Sequence, residues 1–130
     1  MSRDTIPDRI RRNGRSRGDR PAFYFDGGQG WKPTTWAEYA EQAMAFAGAL
    51  VALGCRPGQG VAIVSNNRPE WIIAASGAMC ARAVPAGIYQ TLTAEQVAYV
   101  ADHCEAKVVV VEDREQWAKI DAERANLPHL

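Results

Sequence analysis

The chain has 130 residues, of which 47% are hydrophobic and 23% charged. These proportions fit a globular domain, or part of one, and exclude a disordered chain. Lys and Arg together number 15, as do Asp and Glu, so no net field draws the whole chain to nucleic acid. No apolar run approaches the roughly 18 residues that cross a bilayer, and no signal-peptide core follows the early arginines. We therefore expect a soluble, cytoplasmic protein with no nucleic-acid partner.

The first twenty residues are rich in arginine. Seven arginines precede Pro21 against three aspartates, which leaves eight basic and twelve acidic residues for the rest of the chain. A basic arm of this kind could bind RNA or anionic lipid. The interspersed aspartates, and the lack of any aromatic residue before Phe23, favour a solvated segment instead. We predict a helix over residues 6–12, with Pro7 in its first turn, and a polar loop over residues 13–20.

The three cysteines, Cys55, Cys80 and Cys104, are widely separated. Their odd number and the lack of a C-x-x-C pair argue against both a disulfide framework and a zinc knuckle. We expect three reduced, mostly buried thiols.

A glycine-rich turn separates two short strand-like runs, residues 22–25 and 31–34. This order predicts a β-hairpin. A phosphate-binding glycine loop follows a strand and opens a helix, whereas residues 27–30 lead to another strand. Cofactor binding is therefore not expected at this turn.

The best-defined helix is predicted to begin at Thr35, where Glu38 completes a capping box, and to end at Gly54. Apolar residues recur along it at spacings of three and four, which predicts a face packed against the core. This apolar stripe consists of Trp36, Tyr39, Ala40, Ala43, Phe46, Ala47, Leu50 and Leu53.

Three short apolar runs of strand type alternate with helices in the rest of the chain. Continuous apolar strands are typical of a parallel sheet that is covered on both faces. The predicted strands cover residues 61–64, 83–88 and 107–111, and the helices begin near Pro69, at Thr93 and at Asp113. We predict an α/β fold in which a short β-hairpin precedes alternating helices and a three-stranded parallel sheet with right-handed crossovers.

Two further predictions concern the last helix and the last strand of the chain. In the last helix, Trp117, Ile120 and Ala125 are predicted to point inward. The four valines of residues 108–111 would form an exposed strand edge unless more chain followed, so we expect the domain to be incomplete.

Ligands of open α/β sheets bind at the carboxyl ends of the strands, which here are residues 65–68, 89–92 and 112–113. No acidic pair of the kind a phosphoacceptor site needs follows the first parallel strand, and no G-x-S-x-G elbow is present. Asn66 and Asn67 are predicted to cap the helix that contains Trp71 rather than to bind a ligand.

The densest reactive cluster is residues 102–105, which combines Asp, His, Cys and Glu. Neighbouring residues on a helix point in different directions, so we interpret this cluster as a solvated helix end. No metal-ligand spacing, Walker-type loop or carboxylate pair occurs. The sequence therefore provides no catalytic, cofactor-binding or metal-binding residue.

Several short sequence motifs, in their order along the chain, resemble those of the adenylate-forming superfamily of acyl-CoA synthetases, luciferases and peptide-synthetase adenylation domains. These motifs are residues 18–22 (GDRPA), 35–39 (TWAEY), 54–64 (GCRPGQGVAIV), 66–71 (NNRPEW), 84–91 (VPAGIYQT), 92–99 (LTAEQVAY) and 104–111 (CEAKVVVV). Within that superfamily, the combination of N-x-P-E-W with G-I-Y-x-T is most similar to the long-chain fatty-acyl-CoA synthetases.

The resemblance implies a parent enzyme that activates a fatty acid with MgATP to an acyl-adenylate and transfers the acyl group to CoA. The family's phosphate loop ending in Pro-Lys-Gly, its Tyr-Gly-x-Thr-Glu motif, its hinge acid and its carboxyl-terminal lysine have no counterpart here. We therefore expect residues 1–130 to be an incomplete amino-terminal part of an AMP-binding domain, with an arginine-rich helix and loop over residues 1–20. The segment itself would bind neither ATP, Mg nor CoA and would be inactive alone.

The expected partner is the remainder of the synthetase, with fatty acid and CoA as substrates of the parent enzyme. The resemblance leaves homodimerisation through the amino-terminal region and peripheral membrane contact open. Two alternative functions also stay open: an adenylate-forming ligase for another carboxylic acid, and a non-catalytic α/β interaction module.

Three positions depart from the family pattern. Arg82 stands where the family usually has glycine, at a corner between a helix and a strand. If that corner needs a positive φ, arginine there costs about 1 kcal/mol. Gln59 and Gly60 replace the more usual Gly-Asp pair.

Overall fold

The computed structural model of the chain describes residues 4–130. Residues 1–3, including Arg3 of the arginine-rich stretch, lie outside the described residues. The described part contains α1 (Ile6–Ser16), β1 (Pro21–Asp26), β2 (Trp31–Thr35), α2 (Trp36–Ala52), β3 (Gly60–Val64), α3 (Pro69–Cys80), β4 (Val84–Ile88), α4 (Ala94–His103), β5 (Ala106–Val111), α5 (Arg114–Ala122) and a 3₁₀ turn (Arg124–Asn126).

The strands form two sheets. β1 and β2 pair as an antiparallel hairpin, and the other three strands form a parallel sheet in the order β4-β3-β5. The central strand β3 is buried along its whole length, as its continuous apolar sequence predicts. The predicted α/β fold, with its hairpin and its three-stranded parallel sheet, is confirmed.

Helices cover both faces of the parallel sheet. Successive side chains of a strand point to opposite faces, and β3 divides its contacts accordingly. Ala62 and Val64 pack in a cluster with residues of α4 and α5, whereas Val61 and Ile63 pack with residues of α2 and α3. The helices that follow β3 and β4 therefore lie on opposite faces of the sheet.

The apolar stripe of α2 is confirmed in its middle and wrong at its end. Tyr39, Ala43, Ala47 and Leu50 are buried, but 66% of Leu53 is exposed. The helix ends at Ala52, so Leu53 lies beyond the face that packs. The capping box at Thr35 and the left-handed turn at Gly54 are both present, as predicted.

The first helix is longer than its sequence predicts. α1 continues to Ser16, whereas we predicted a loop from residue 13. A β-carbon on Gly14 would lie 2.7 Å from the β-carbon of Ala40 in α2. The missing side chain allows α1 to pack closely on α2, and this packing outweighs the poor helix propensity of glycine.

The last helix begins as predicted but presents a different face. Asp113 caps α5 by accepting a hydrogen bond from the backbone N–H of Gln116 at 3.0 Å, and Ile120 is buried. Half of Trp117 is exposed, however, and Gln116 is buried in its place. The helix stops at Ala122, so Ala125 belongs to the 3₁₀ turn and is exposed.

All three cysteines are free thiols; Cys55 is buried, and Cys80 and Cys104 are partly buried. The predicted burial thus holds fully for Cys55 and only in part for the other two thiols. Burial raises the pKa of Cys80 and Cys104.

Arg82 occupies a strained turn between α3 and β4. Its φ is 62°, in the left-handed region that costs a non-glycine residue about 1–2 kcal/mol. We expect Arg82→Gly to raise the free energy of unfolding by about 0.5–1 kcal/mol, because relief of strain exceeds the added flexibility of the unfolded chain. Urea denaturation measures the change. Arg82→Lys keeps the strain and should leave stability unaltered; a loss of stability in Arg82→Gly contradicts the assignment.

Candidate functional site

A crevice opens where β3 and β4 end. Because the helices that follow these neighbouring strands lie on opposite faces, the connecting loops diverge and leave a gap, as at the ligand sites of open α/β sheets. Its volume is about 420 Å³, and it is lined by Ser65, Asn66, Asn67, Trp71, Gly87, Ile88, Tyr89 and Gln90. The structure thus brings together two of the three stretches that sequence reasoning singled out.

Asn66 connects the carboxyl ends of all three parallel strands. Its backbone N–H and its side-chain amide donate to the carboxylate of Glu112, at 2.5 and 3.0 Å. Its side-chain oxygen accepts a hydrogen bond from the amide of Gln90 at 2.5 Å. Lys119 of α5 donates to the backbone oxygen of Gln90 at 2.6 Å. These contacts bring Glu112, at the third stretch, into the same network.

The predicted capping role of Asn66 and Asn67 is wrong. α3 starts at Pro69, its N-cap is Arg68, and no side chain caps it. Instead, the Arg68 guanidinium donates two hydrogen bonds, at 2.7 and 3.2 Å, to the carboxylate of Glu70. Asn66 has no role at this helix because its amide is already engaged with Gln90 and Glu112, which follow β4 and β5.

Two carboxylates near the crevice are held in the ionised form. The backbone N–H of Asn66, and then its side chain, lower the pKa of Glu112. The hydrogen bond from Arg68 lowers the pKa of Glu70. Both groups are therefore negative at neutral pH. The Arg68 guanidinium pairs with Glu70, and Lys119 reaches the same edge of the sheet at Gln90, so the two negative charges lie beside two positive ones.

The lowered pKa of Glu112 predicts how stability depends on pH. We expect wild type to be more stable than Glu112→Gln above the pKa of an unfolded glutamate, about 4.3. This advantage should be lost as pH falls through the lower folded-state pKa. Urea denaturation of both proteins at neutral and acidic pH measures the difference. As a control, Glu115→Gln, at an exposed position on α5, should differ less from wild type. A Glu112 effect that grows at acidic pH contradicts the assignment.

The wall of the crevice is aromatic. A β-carbon on Gly87 would lie 3.0 Å from Cζ2 of Trp71, so this glycine gives the indole room to lie against β4. None of the eight lining residues is charged. The crevice therefore offers an indole wall with amide groups at its rim, a lining suited to a neutral portion of a ligand.

Residues 102–105 are divided between the last turn of α4 and the turn that follows it. His103 is exposed and stacks on Tyr99, with 5.9 Å between ring centroids. Glu105 follows the helix in a left-handed conformation, with φ 49°, and this turns it away from the helical residues before it. Among residues 4–130, no group of three His, Cys, Asp or Glu side chains could hold a metal ion.

The glycine turn of the hairpin is closed by its own aspartate. Asp26 accepts hydrogen bonds from the backbone N–H groups of Gly28 and Gly30, at 2.8 and 3.0 Å. These donors are thus already engaged, in agreement with the interpretation of the turn as a hairpin.

In the described residues, we find no helix long and apolar enough to span a membrane.

Comparison with known proteins identifies the family. The family model described as "AMP-binding enzyme" matches residues 10–130. The chain belongs to the AMP-binding enzyme family. It is 39% identical over 113 residues to a long-chain-fatty-acid–CoA ligase of Xenopus laevis, an alignment that covers 87% of this chain and 15% of the relative. It is 36% identical over 130 residues to the long-chain-fatty-acid–CoA ligase heimdall of Drosophila melanogaster, which covers 97% of this chain and 19% of the relative.

Solved structures agree with this result. The crystal structure of the anthranilate CoA ligase AuaEII, in complex with anthranoyl-AMP, superposes with a TM-score of 0.85. The two sequences are 27% identical, and the match covers 95% of this chain and 23% of that chain. The resemblance to adenylate-forming acyl-CoA ligases is thus confirmed, and the chain spans less than a fifth of the length of the two curated relatives.

Proposed function

We propose that this chain is the amino-terminal part of a long-chain fatty-acid–CoA ligase. That enzyme would convert a fatty acid, ATP and CoA into acyl-CoA, AMP and pyrophosphate through an acyl-adenylate. The observation that carries the proposal is the alignment of nearly the whole chain, at 36–39% identity, with two ligases of this class. The identity of the acid substrate is also part of the proposal, because the solved structure that superposes on this chain is that of an anthranilate CoA ligase.

The role of the segment is structural in this proposal. The eight residues of the crevice include no cation to bind phosphate and no carboxylate to bind Mg²⁺, so they do not fit the triphosphate or its metal. ATP, Mg²⁺ and the catalytic groups would be held by the remainder of the synthetase. The sheet and its crevice would form part of the wall against which the substrate channel is built.

Two alternatives make different predictions. A ligase for another acid would share the fold and the reaction but prefer a smaller carboxylate, as the anthranilate ligase does by its name. A non-catalytic interaction module would keep the fold and form no acyl-CoA. The first alternative changes only the substrate, whereas the second removes the reaction.

A panel of acids separates these possibilities. The protein expressed from the complete gene is assayed for acyl-CoA formation from ATP and CoA with palmitate, oleate, acetate and anthranilate. We expect kcat/KM for the long-chain acids to exceed that for the others by roughly tenfold or more, because a long alkyl chain buries more apolar surface. A preference for anthranilate or acetate overturns the fatty-acid assignment. If no acyl-CoA forms with any of the four acids, the assignment of ligase activity is overturned.

A further inference from the structure

The outer side of α2 lacks charge over most of its length. Residues 42–54 include no Asp, Glu, Lys or Arg, although this part of the helix lies at the surface. Met44 is 46% exposed and Val51 is 61% exposed. A helix at the surface of a globular protein ordinarily carries charged residues on the side away from the core. The outer side of α2 is thus apolar where contact with solvent favours polar residues.

The exposed apolar residues lie together on one face. At 100° per residue, positions 41, 45, 48 and 52 fall along one line, on the side opposite the buried Leu50, and all four are exposed. Met44 and Val51 lie beside this line. A β-carbon on Gly48 would meet no atom within 4 Å, so none of residues 4–130 covers the centre of the face. We define the apolar face of α2 as Met44, Ala45, Gly48, Val51 and Ala52.

The neighbouring helices pack on other sides of α2. A β-carbon on Gly14 of α1 would lie 2.7 Å from the β-carbon of Ala40, and one on Gly77 of α3 would lie 2.7 Å from the ring of Phe46. Neither Ala40 nor Phe46 belongs to the apolar face, which both helices therefore leave open. A contiguous exposed apolar surface of this kind marks an interaction site.

Opposite charges stand at the two ends of the apolar face. Glu41 lies seven residues before Gly48, and Arg56 lies eight residues after it. Both are exposed, and neither forms a salt bridge with any of residues 4–130. If two copies of α2 lie antiparallel and cross near Gly48, Glu41 of each copy comes beside Arg56 of the other. A parallel pair would instead bring like charges together.

We propose that the apolar face of α2 binds a second copy of this chain, with the two helices antiparallel about a two-fold axis near Gly48. The small residues of the face let the two backbones approach closely, and burial of Met44 and Val51 drives the association. Two Glu41–Arg56 ion pairs at the rim fix the antiparallel direction. A different protein would need its own matching charges at both ends, whereas the two-fold axis supplies them from this chain.

Sedimentation equilibrium of the protein expressed from the complete gene tests the proposal without any enzyme assay. We expect a reversible dimer. Ala45→Glu/Ala52→Glu should weaken dimerisation by roughly hundredfold or more, because carboxylates without a partner would be buried between the two helices. The matched control is Ala118→Glu/Ala122→Glu, which makes the same change at exposed positions of α5, on the other side of the parallel sheet. It should leave the dimer intact.

Reversal of the charges tests the antiparallel direction. Glu41→Arg and Arg56→Glu, each alone, place like charges at both ends of the pair and should weaken dimerisation by about tenfold. The combined variant Glu41→Arg/Arg56→Glu should restore it. An equimolar mixture of the two single variants should form a heterodimer, because one copy then carries two positive ends and the other carries two negative ends.

Three results would overturn the proposal. The first is a complete protein that stays monomeric, which would mean that another segment or another protein covers the apolar face. The second is a dimer that Ala45→Glu/Ala52→Glu leaves intact while far-UV circular dichroism shows the variant to be folded. The third is a folded charge-reversed double variant that dimerises no better than the single variants.

Discussion

Gly60→Val is expected to lower the free energy of unfolding by about 3 kcal/mol or more. A β-carbon at this position would lie 2.2 Å from the backbone oxygen of Cys104 and 3.3 Å from the α-carbon of Ala106. Both atoms belong to the backbone that leads into β5. Because Gly60 pairs with Ala106 in the sheet, the only relief is separation of β3 from β5.

Urea denaturation of both proteins, followed by circular dichroism, measures this effect. Gly48→Ala is the matched control, since a β-carbon on Gly48, within α2, would meet nothing within 4 Å. We expect this control to stabilise the protein by about 0.5–1 kcal/mol, because alanine favours the helix. A Gly60→Val protein with the stability of wild type would show that β3 and β5 are not paired as described.

Leu50→Ala is expected to lower the free energy of unfolding by about 2–5 kcal/mol, through lost apolar burial and the cavity that remains. Only 1% of Leu50 is exposed. It packs in one cluster with Val61 of β3 and Ala78 of α3, so its side chain joins two helices to the sheet. Neighbours as small as alanine cannot fill the space that leucine leaves.

The control for this substitution is Leu53→Ala, near the end of the same helical segment. The sequence pattern places both leucines on one stripe, but the structure exposes Leu53, so its loss should change stability by less than about 0.5 kcal/mol. The same denaturation assay compares the two. Equal effects would mean that α2 packs against the sheet through a different face.

Local signals allowed most of the fold to be predicted. A capping box depends on residues three apart, so Thr35 and Thr93 could be identified as helix starts from sequence alone, and both residues form capping boxes in the structure. The left-handed turn at Gly54 is equally local. The order of the parallel strands, by contrast, depends on how helices cover the two faces of the sheet.

Errors arose where distant contacts decide the outcome. The extension of α1 through Gly14 depends on Ala40 of another helix, which no short window of sequence includes. Asn66 and Glu112 are 46 residues apart, so only the general rule about strand ends placed them near each other. The sequence contains no sign that the amide of Asn66 would bind that carboxylate instead of capping α3.

ATP–pyrophosphate exchange, measured side by side on residues 1–130 and on the protein expressed from the complete gene, tests the proposed function most directly. We predict exchange that depends on a long-chain fatty acid in the complete protein, and exchange at background level in residues 1–130. Exchange above background by residues 1–130, or its absence from a folded complete protein with every acid, would contradict a ligase whose catalytic groups lie outside this segment.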